Sequence, residues 1–549
     1  MSKGFSLGID LGTSNCAMAR CDLESGETRV VETPQFIQAG SIGNLDSLPS
    51  ALYLPREKEF SEGALRLPWA KKPASFIAGT FARQHGSLNP DRLITSAKSW
   101  LSNPNADPTA DILPWQSETV EEKLSPFESS KLYLEYLGQA FSHQRGGEKP
   151  NDGAVVITVP ASFDERARQL TQEAAEAAGL KEVILLEEPQ AAFYSWAANP
   201  ANDWRSQVTS GDIVLVCDIG GGTADFSLIA VSEKEGELSL ERISVGDHLL
   251  LGGDNMDLAL AYVVQGQLHE EGVELDEWQF HALIHGCNQA KVALFKDPSL
   301  EEAPLALASR GSSLLAQTVS ARLDRPSMEN MVLEGFFPLT EVTDMPEEQS
   351  TAGLQEIGLP YAADPVISKH LARFLTRSLT NVQSSDDLKA LVRPESLEGT
   401  FLRPNAILFN GGVFNAAPLR QRVLDLLAHW NAGEPVRELA GDHPDLAVAR
   451  GAAVYGWTRE TGEGLRIRAG IARSYYIGLE SSMPAVPGLK RPVKALCVVP
   501  QGMEEGSDLV IDNQEFGLIT GQEAEFRFFS SAVRSGALRG TGIVTFIDR

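Results

Sequence analysis

Two glycine-rich segments in distant parts of the chain have the residue types that bind a polyphosphate. They read Gly8-Ile9-Asp10-Leu11-Gly12-Thr13-Ser14-Asn15 and Cys217-Asp218-Ile219-Gly220-Gly221-Gly222-Thr223-Ala224-Asp225. Each places an aspartate at the end of an apolar strand, followed by small residues whose backbone N–H groups can approach an anion closely. A hydroxyl side chain follows in both. Two such hairpins can hold a polyphosphate from opposite sides, whereas the alternative is a pair of ordinary glycine-rich turns.

A strand-helix-strand unit supplies a further carboxylate. The apolar residues 154–159 predict a buried strand, and the Ala-, Glu- and Arg-rich residues 164–178 predict a helix. A second apolar run ends just before Glu188, so a parallel sheet is expected. Ligands of open parallel sheets lie at the carboxyl ends of strands, where Asp10, Glu188 and Asp218 all fall. These carboxylates indicate a magnesium nucleotide site, although Glu188 by itself could also be a solvated loop acid.

Composition narrows the class of protein. The 549 residues exceed what one hydrophobic core holds, and three or four domains are expected at roughly 100–200 residues per domain. A net charge of -27 disfavours nucleic acid and anionic membranes as partners. No apolar stretch reaches the length of about 18 residues that a membrane-spanning helix needs. The five cysteines form no CxxC pair, which indicates reduced thiols in a cytoplasmic protein rather than a metal site.

Several short motifs follow one another between residues 4 and 460. They are Asp10-Leu11-Gly12-Thr13, Ile157-Thr158-Val159-Pro160-Ala161-Ser162-Phe163 with Arg168-Gln169, Glu188-Pro189 with Ala191-Ala192, Asp218-Ile219-Gly220-Gly221-Gly222-Thr223, Gly252-Gly253, Gly411-Gly412, and Asp445-x-Ala447-Val448-Ala449-x-Gly451-Ala452-Ala453. Their order and spacing resemble the DnaK-type heat-shock chaperones, the heat shock protein 70 family, in a divergent bacterial-type form. The resemblance implies an α/β fold of the actin-like ATPase type over residues 1–463, with duplicated lobes and ATP clamped between them.

The resemblance also implies roles for individual residues. Asp10 and Asp218 would hold Mg²⁺, mostly through its waters. Lys98 would offset charge on the γ-phosphate and the attacking water. Glu188 would help to position that water or the magnesium shell, and Thr223 would belong to the second phosphate-binding loop. The phosphates of ATP or ADP would lie against Gly12, Thr13, Ser14, Asn15, Gly220, Gly221 and Gly222. Other parts of the nucleotide cleft would be lined by Asp225, Gly252, Gly253, Lys291, Gly411, Gly412 and Asp445.

The nucleoside side departs from the family pattern. In residues 288–295, Lys291 is kept, while Asn288 and Phe295 replace polar partners. After the second Gly-Gly pair, the family's serine and arginine are missing. Phe295 or Phe414 could supply a stacking surface instead, and the alternative is that both are ordinary core residues. We therefore expect phosphate binding to be kept and base recognition to be looser.

Two inserts set the chain apart from the family. Residues 103–126 and 326–365 are rich in proline and acidic residues and are predicted to be extended surface segments. They are either tolerated loops or docking sites for partners, and the composition favours loops.

Residues 464–549 change from helical to alternating patterns. Short strands are predicted at 475–479, 493–499, 508–511, 516–519, 524–529 and 542–547. They suggest a small β-sandwich where the family has its peptide-binding domain. The linker at 465–470 alternates apolar residues with Arg466 and Arg468, where the family has an apolar run closed by an acid, so weak coupling to ATP is expected. Because the sequence stops at Arg549 without a helical lid, this β-domain is expected to be incomplete.

Two classes of function follow. The first is a chaperone-like ATPase that slowly hydrolyses Mg-ATP and whose nucleotide state modulates polypeptide binding by the β-domain, with polypeptide clients and co-chaperones as partners. The alternative is a non-chaperone, ATP-gated scaffold or actin-like filament protein whose β-domain docks a protein partner. A sugar kinase ranks third, because it would need a substrate acid in place of the Pro160 and Glu188 constellation.

Overall fold

The chain contains two lobes, each built on a central sheet. The computed structural model describes residues 4–103, 105–199, 204–234, 237–307, 319–347, 359, 361–441, 443–464, 474–479, 493–500, 503, 527–531 and 543–546. Among these residues, no helix combines the length and the apolar character needed to cross a membrane.

The first lobe extends to residue 199. Its strands are β1 (Phe5–Leu11), β2 (Asn15–Asp22), β3 (Thr28–Val30), β4 (Thr33–Gln38), β5 (Ser41–Leu45), β6 (Ser47–Pro49), β7 (Ala51–Tyr53), β8 (Ile77–Ala78), β9 (Leu93–Thr95), β10 (Ala154–Val159) and β11 (Ile184–Glu187). Its helices are α1 (Thr80–Ser87), α2 (Ala97–Leu101), α3 (Pro126–Gln144), α4 (Glu165–Ala177) and α5 (Glu188–Ala198), with 3₁₀ turns at Pro90–Arg92 and Pro150–Asp152.

The second lobe begins at residue 204. Its strands are β12 (Ile213–Ile219), β13 (Ala224–Lys234), β14 (Glu237–Val245), β15 (Glu302–Leu307), β16 (Val319–Asp324), β17 (Ala406–Asn410) and β18 (Arg437–Glu438). Its helices are α6 (Trp204–Gln207), α7 (Gly253–Glu270), α8 (Glu277–Lys296), α9 (Arg325–Glu329), α10 (Ile367–Gln383), α11 (Asp386–Lys389) and α12 (Ala417–Trp430). The chain then returns to the first lobe in α13 (Ala447–Thr461). A π-helical turn lies at Asn330–Glu334, and 3₁₀ turns lie at Pro394–Leu397 and Gly412–Asn415.

The central sheets of the two lobes share one strand order. In the first, β11, β10 and β1 are parallel, and β2 and β3 continue antiparallel on the other side of β1. In the second, β18, β17 and β12 are parallel, and β13 and β14 continue antiparallel on the other side of β12. The predicted α/β fold with duplicated sheets is therefore confirmed.

The two equivalent strands also share one burial pattern. Every residue of β1 and of β12 is buried except the aspartate before the last position, Asp10 in β1 and Asp218 in β12. Strands of parallel sheets are covered on both faces, which explains the continuous apolar runs in the sequence. The fold thus places one carboxylate at the same end of each sheet.

Helix α13 follows the second lobe along the chain but packs on the first lobe, with close approaches at two glycines. It lies on β1 at Gly8, where a Cβ atom would overlap the carbonyl oxygen of Ala449. It also crosses α5 at Gly451, where a Cβ atom would overlap the carbonyl oxygen of Ala191. At the far rim of the cleft, Trp278 of α8 donates a hydrogen bond to the carbonyl oxygen of Leu88, 2.5 Å away. On the opposite side, Val156 of β10 and Val216 of β12 belong to one buried cluster with Val448 of α13, so the lobes meet on both sides of the space between them.

The insert at residues 326–365 differs from its prediction as a surface segment. Its first part is the end of α9 and a π-helical turn, and Met328, Val332 and Phe336 are buried there. The prediction was wrong because these apolar residues lie four apart, a helical spacing that the acidic composition obscured. Residues 348–358 and 360 lie outside the described part of the chain.

The insert at residues 103–126 matches its prediction in part. Its described residues before the start of α3 form no helix or strand, only an isolated bridge between Leu113 and Leu124. However, Leu113 is buried, and Trp115 packs on Trp100 with ring centroids 4.8 Å apart. The segment is a loop held to the lobe by apolar side chains, rather than a fully extended surface segment.

The C-terminal region contributes one described sheet. Strands β19 (Ser474–Leu479), β20 (Val493–Val499), β21 (Phe528–Ser531) and β22 (Ile543–Phe546) pair antiparallel in the order β21-β19-β20-β22. Three of them coincide with predicted strands, whereas β21 begins later than predicted. The predicted strands at 508–511 and 516–519 and the linker at 465–470 lie outside the described residues. The β-sandwich and the domain boundary at 463/464 remain predictions.

We predict that Gly451→Ala lowers the melting temperature markedly, because the added Cβ would meet backbone rather than a movable side chain. The loss should reach about 3 kcal/mol, the upper end of the range for overpacking. Gly266→Ala on the exposed face of α7 is the matched control, since nothing lies within 4 Å of its added Cβ. That control should stabilise the chain by about 0.5–1 kcal/mol. Equal melting temperatures for the two variants would contradict the close approach of α13 and α5.

Candidate nucleotide site

Four charged side chains meet between the lobes at the ends of strands. Asp10 lies near the end of β1, Asp218 near the end of β12, and Glu188 begins α5 directly after β11. Lys98 comes from the short helix α2, and its Nζ lies 2.5 Å from Glu188 Oε1. The structure thus brings together four of the five residues predicted to be catalytic, and the fifth, Thr223, lies in the second glycine-rich turn.

Lys98 lies in the short helix α2, which is buried and follows a sharp turn of the backbone at Ser96. Ser96, before α2, has a left-handed backbone with φ 55°, and the five residues of the helix are all buried. Only 7% of the Lys98 side chain is exposed. Burial acts to lower the pKa of Lys98, but the carboxylates of Glu188 and Asp10 outweigh it and raise that pKa. The ammonium group is therefore charged in the cleft.

The two strand-end aspartates are held by polar neighbours on the adjacent parallel strands. Thr158 Oγ1 of β10 donates to Asp10 Oδ1 at 3.0 Å, and Asn410 Nδ2 of β17 donates to Asp218 Oδ2 at 2.5 Å. Burial, and then the charge of Glu188, raise the pKa of Asp10 to about 7. The same two causes raise the pKa of Asp218 well above its ordinary value. Both shifts show that the cleft disfavours negative charge on these carboxylates.

This donor set fits a hydrated magnesium ion. The carboxylates outnumber the single lysine beside them, so a divalent cation would balance charge that the protein leaves uncompensated. Within the described ranges, no group of three or more His, Cys, Asp or Glu side chains is arranged to bind a metal directly. Mg²⁺ commonly keeps several waters and binds through one or two carboxylates and substrate phosphates. Asp10 and Asp218 are the residues that would hold it.

The two glycine-rich turns face each other across the cleft. A Cβ atom on Gly221 would meet Ser14 Oγ, and one on Gly222 would lie 3.0 Å from Thr13 Cγ2. Each turn is closed by its own backbone: a Cβ on Gly12 would overlap the Asn15 carbonyl, and Gly220 N donates to Thr223 O at 2.9 Å. A cavity of about 340 Å³ adjoins them, lined by residues that include Ser96, Ser99, Gly222, Asp254 and Tyr361.

The second turn is fastened to the start of α7. Gly253 N donates to Gly220 O at 3.1 Å, and Asp254 N donates to Gly221 O at 2.7 Å. A Cβ atom on Gly252 would come 2.5 Å from Gly221 O, so only glycine allows this approach. Gly252 and Gly253 therefore hold the second glycine-rich turn against the start of α7.

Lys291 of α8 is already paired. Its Nζ donates to Gly253 O at 2.9 Å and lies 2.7 Å from Asp257 Oδ1. Asn288 Nδ2 also donates to Asp257, at 2.7 Å. In this structure Lys291 links α8 to the start of α7.

Gly411 and Gly412 lie beside Asp218. Gly411 has φ 85°, and a Cβ atom there would come 2.7 Å from Asp218 Oδ1, whereas Gly412 has nothing within 4 Å of its Cβ position. Gly411 N donates to Pro444 O at 3.3 Å, which places the exposed Asp445 at the rim of this turn. Gly412 thus leaves open space where a nucleoside could approach the backbone.

The two phenylalanines suggested as stacking surfaces differ. Phe414 is completely buried and packs on Phe409 with ring centroids 4.6 Å apart, so it is a core residue and the stacking suggestion was wrong for it. Phe295 is partly buried and packs against the core of the second lobe.

Two residues that contact the first glycine-rich turn and Asp225 were not predicted from the sequence. The Arg83 guanidinium of α1 donates to Ser14 O in the first turn. His248 pairs with Asp225, its Nδ1 lying 3.1 Å from Asp225 Oδ1. No motif marks either residue. His248 is opposite Asp225 because Leu249 bridges Ala224 at the start of β13, a pairing that only the folded sheet reveals.

Comparison with known proteins agrees with this geometry. A sequence model of the family described as "Hsp70 protein" matches residues 6–344. The chain is 29% identical over 296 residues to a "Chaperone protein HscA homolog" of Acinetobacter baylyi, covering 54% of this chain and 43% of that protein. It is 30% identical over 301 residues to a protein of the same name from Actinobacillus pleuropneumoniae serotype 5b, covering 53% and 42%. The match thus spans less than half the length of these relatives.

We predict that Asp10→Asn stabilises the nucleotide-free chain at pH 8. The folded chain holds a proton on Asp10 up to about pH 7, whereas the unfolded chain releases it near 3.8, so wild-type stability falls as the pH rises between these values. Asparagine does not titrate and still accepts the Thr158 hydrogen bond. The free energy of unfolding of the variant should exceed that of the wild type by an amount that grows between pH 4 and 7, reaches about 2–4 kcal/mol, and then stays constant. Urea unfolding at pH 5 and pH 8 measures it.

The exposed Asp46 offers the matched control for this measurement. Asp46→Asn should leave the pH dependence of stability unchanged. An Asp10→Asn variant whose advantage is the same at both pH values would show that Asp10 is not held in its protonated form.

Proposed function

This chain belongs to the Hsp70 protein family, and on that premise we propose that it binds Mg-ATP between its lobes and hydrolyses it slowly. One observation carries the proposal: a buried ammonium, Lys98, beside Glu188 in a cleft where two glycine-rich turns meet. If Lys98 served only to stabilise the fold through its pair with Glu188, two glycine-rich turns would not be needed beside it. Positioned cations and backbone N–H groups are what phosphoryl transfer requires.

Each group has a chemical task in this proposal. The backbone N–H groups of the two turns bind the β- and γ-phosphates. Lys98 offsets negative charge that develops at the γ-phosphate, and Glu188 keeps the lysine in position. Asp10 and Asp218 hold the waters of Mg²⁺, which balances the charge of the phosphates.

We further propose a chaperone cycle in which nucleotide state modulates polypeptide binding by the region after residue 463. Family membership supports this, and so does the name of the relatives, "Chaperone protein HscA homolog". Polypeptide clients and co-chaperones would be the partners, without nucleic acid or membrane, and the cytoplasm would be the compartment. The net charge of -27 supports the exclusion of polyanionic partners.

A second candidate is an ATP-gated scaffold or an actin-like filament protein. The sequence of the linker favours it, because Arg466 and Arg468 would have to be desolvated or paired to dock as an apolar linker does. Two measurements separate the candidates. Nucleotide-dependent affinity for an unfolded peptide supports the chaperone, whereas ATP-dependent growth of light scattering without peptide binding supports the filament.

We predict that Lys98→Ala lowers single-turnover hydrolysis of ATP by about 10²–10³, the usual effect of losing one transition-state donor. Affinity for Mg-ATP should change little, because the turns and the aspartates remain. Lys389→Ala is the control, since Lys389 forms an i,i+3 pair with the exposed Asp386 on the surface helix α11. Unchanged hydrolysis in the Lys98 variant would remove this residue from the mechanism.

A further inference from the structure

His248 lies in the cleft as part of a three-residue chain of polar contacts. Its Nδ1 is 3.1 Å from both Asp225 oxygens, and Ser162 Oγ donates to Asp225 Oδ1 at 3.0 Å. The imidazole meets the Phe163 ring edge to face, with centroids 6.0 Å apart. Only 15% of the His248 side chain is exposed. The histidine of the second lobe is thus held against residues of the first.

The contact with Asp225 sets which nitrogen of His248 carries the proton. An ionised carboxylate only accepts hydrogen bonds, so Nδ1 must donate, and in the neutral ring Nε2 is then a free acceptor. Nε2 is buried and has no partner among the described residues. A buried polar atom without a partner calls for a water or a ligand. The acceptor is therefore prepared for a proton donor that the protein itself does not supply.

His248 lies near Lys98 and the second glycine-rich turn. The Lys98 ammonium lies 5.8 Å from the centroid of the same Phe163 ring that His248 contacts. Asp225 follows directly on the second phosphate turn, two residues after Thr223. An Asp–His pair with a free Nε2 is the arrangement of a general base oriented by a carboxylate.

We propose that His248 Nε2 accepts the proton of the water that attacks ATP, with Asp225 holding the imidazole in place. The inference rests on the proposed ATP hydrolysis. The water oxygen forms a bond to the γ-phosphorus, and the bond from that phosphorus to the β–γ bridging oxygen breaks, with its electron pair leaving on ADP. The proton moves to Nε2, and the resulting imidazolium is stabilised by Asp225 until the proton passes to solvent.

The charges around His248 determine the pH at which it can act. Burial, the largest cause, acts to lower the pKa of His248, and Lys98 also lowers it. The charge and hydrogen bond of Asp225 and the charge of Glu188 together outweigh them and raise that pKa above the ordinary 6.5. A base works only in its neutral form, so the hydrolysis rate should rise with pH through a value above 6.5. A pKa near the working pH suits a proton acceptor.

The test compares single-turnover hydrolysis from pH 5.5 to 9 in the wild type and two variants. In His248→Asn the amide can still donate to Asp225, but Nε2 is lost, so the rate at pH 8 should fall on the order of a hundredfold and the rise with pH should disappear. In Asp225→Asn the rise of the hydrolysis rate with pH should move to lower pH, because the carboxylate that raises the pKa of His248 is lost. His269→Asn removes an exposed histidine paired with Glu274 and should match the wild type.

A nucleotide-free measurement tests the same inference without turnover. Nitrogen-detected NMR of the histidines, assigned by the signal missing in His248→Asn, should give a pKa above 6.5 and a proton on Nδ1 in the neutral form. A proton on Nε2, or an unchanged pH–rate profile in His248→Asn, would overturn the role of His248 while leaving ATP hydrolysis intact. A wild type that binds no Mg-ATP would overturn both proposals.

Discussion

The cleft concentrates more negative charge than its own cations balance. Asp10, Glu188 and Asp218 converge at the ends of three strands, and Lys98 is the cation that the structure shows in contact with this group. Burial and the charge of Glu188 raise the pKa of both aspartates, so keeping them ionised in the cleft is costly. A fold optimised only for stability would not keep this arrangement, because buried charge without a partner is costly. A magnesium ion carried in with a polyphosphate would remove this cost.

The duplicated sheets explain how the charges come together. The same strand order in each lobe puts one aspartate and one glycine-rich turn at equivalent places, and the lobes then face each other. Gly221 and Gly222 allow the second turn to approach Ser14 and Thr13 of the first turn closely.

Much of the fold and the convergence of the strand-end carboxylates could be predicted from the sequence, because short-range patterns indicate them. Apolar runs ending in aspartate located β1 and β12, and the motif order brought in Lys98, whose own segment gives no sign that it is buried. Long-range contacts could not be read in this way. His248 faces Asp225 only through sheet pairing, and Gly252 and Gly253 support the phosphate turn only because α7 begins there. The helical start of the 326–365 insert was missed because acidic residues mask its apolar spacing.

The central claim is that the carboxylate cleft is completed by a metal-bound polyphosphate. Calorimetric titration of ATP into the nucleotide-free chain, with excess Mg²⁺ and with excess EDTA, tests it most directly. Without the cation, the carboxylates repel the triphosphate, so affinity should fall at least about a hundredfold, or roughly 2.7 kcal/mol. Equal affinity in the two buffers, or no binding in either, would contradict the account.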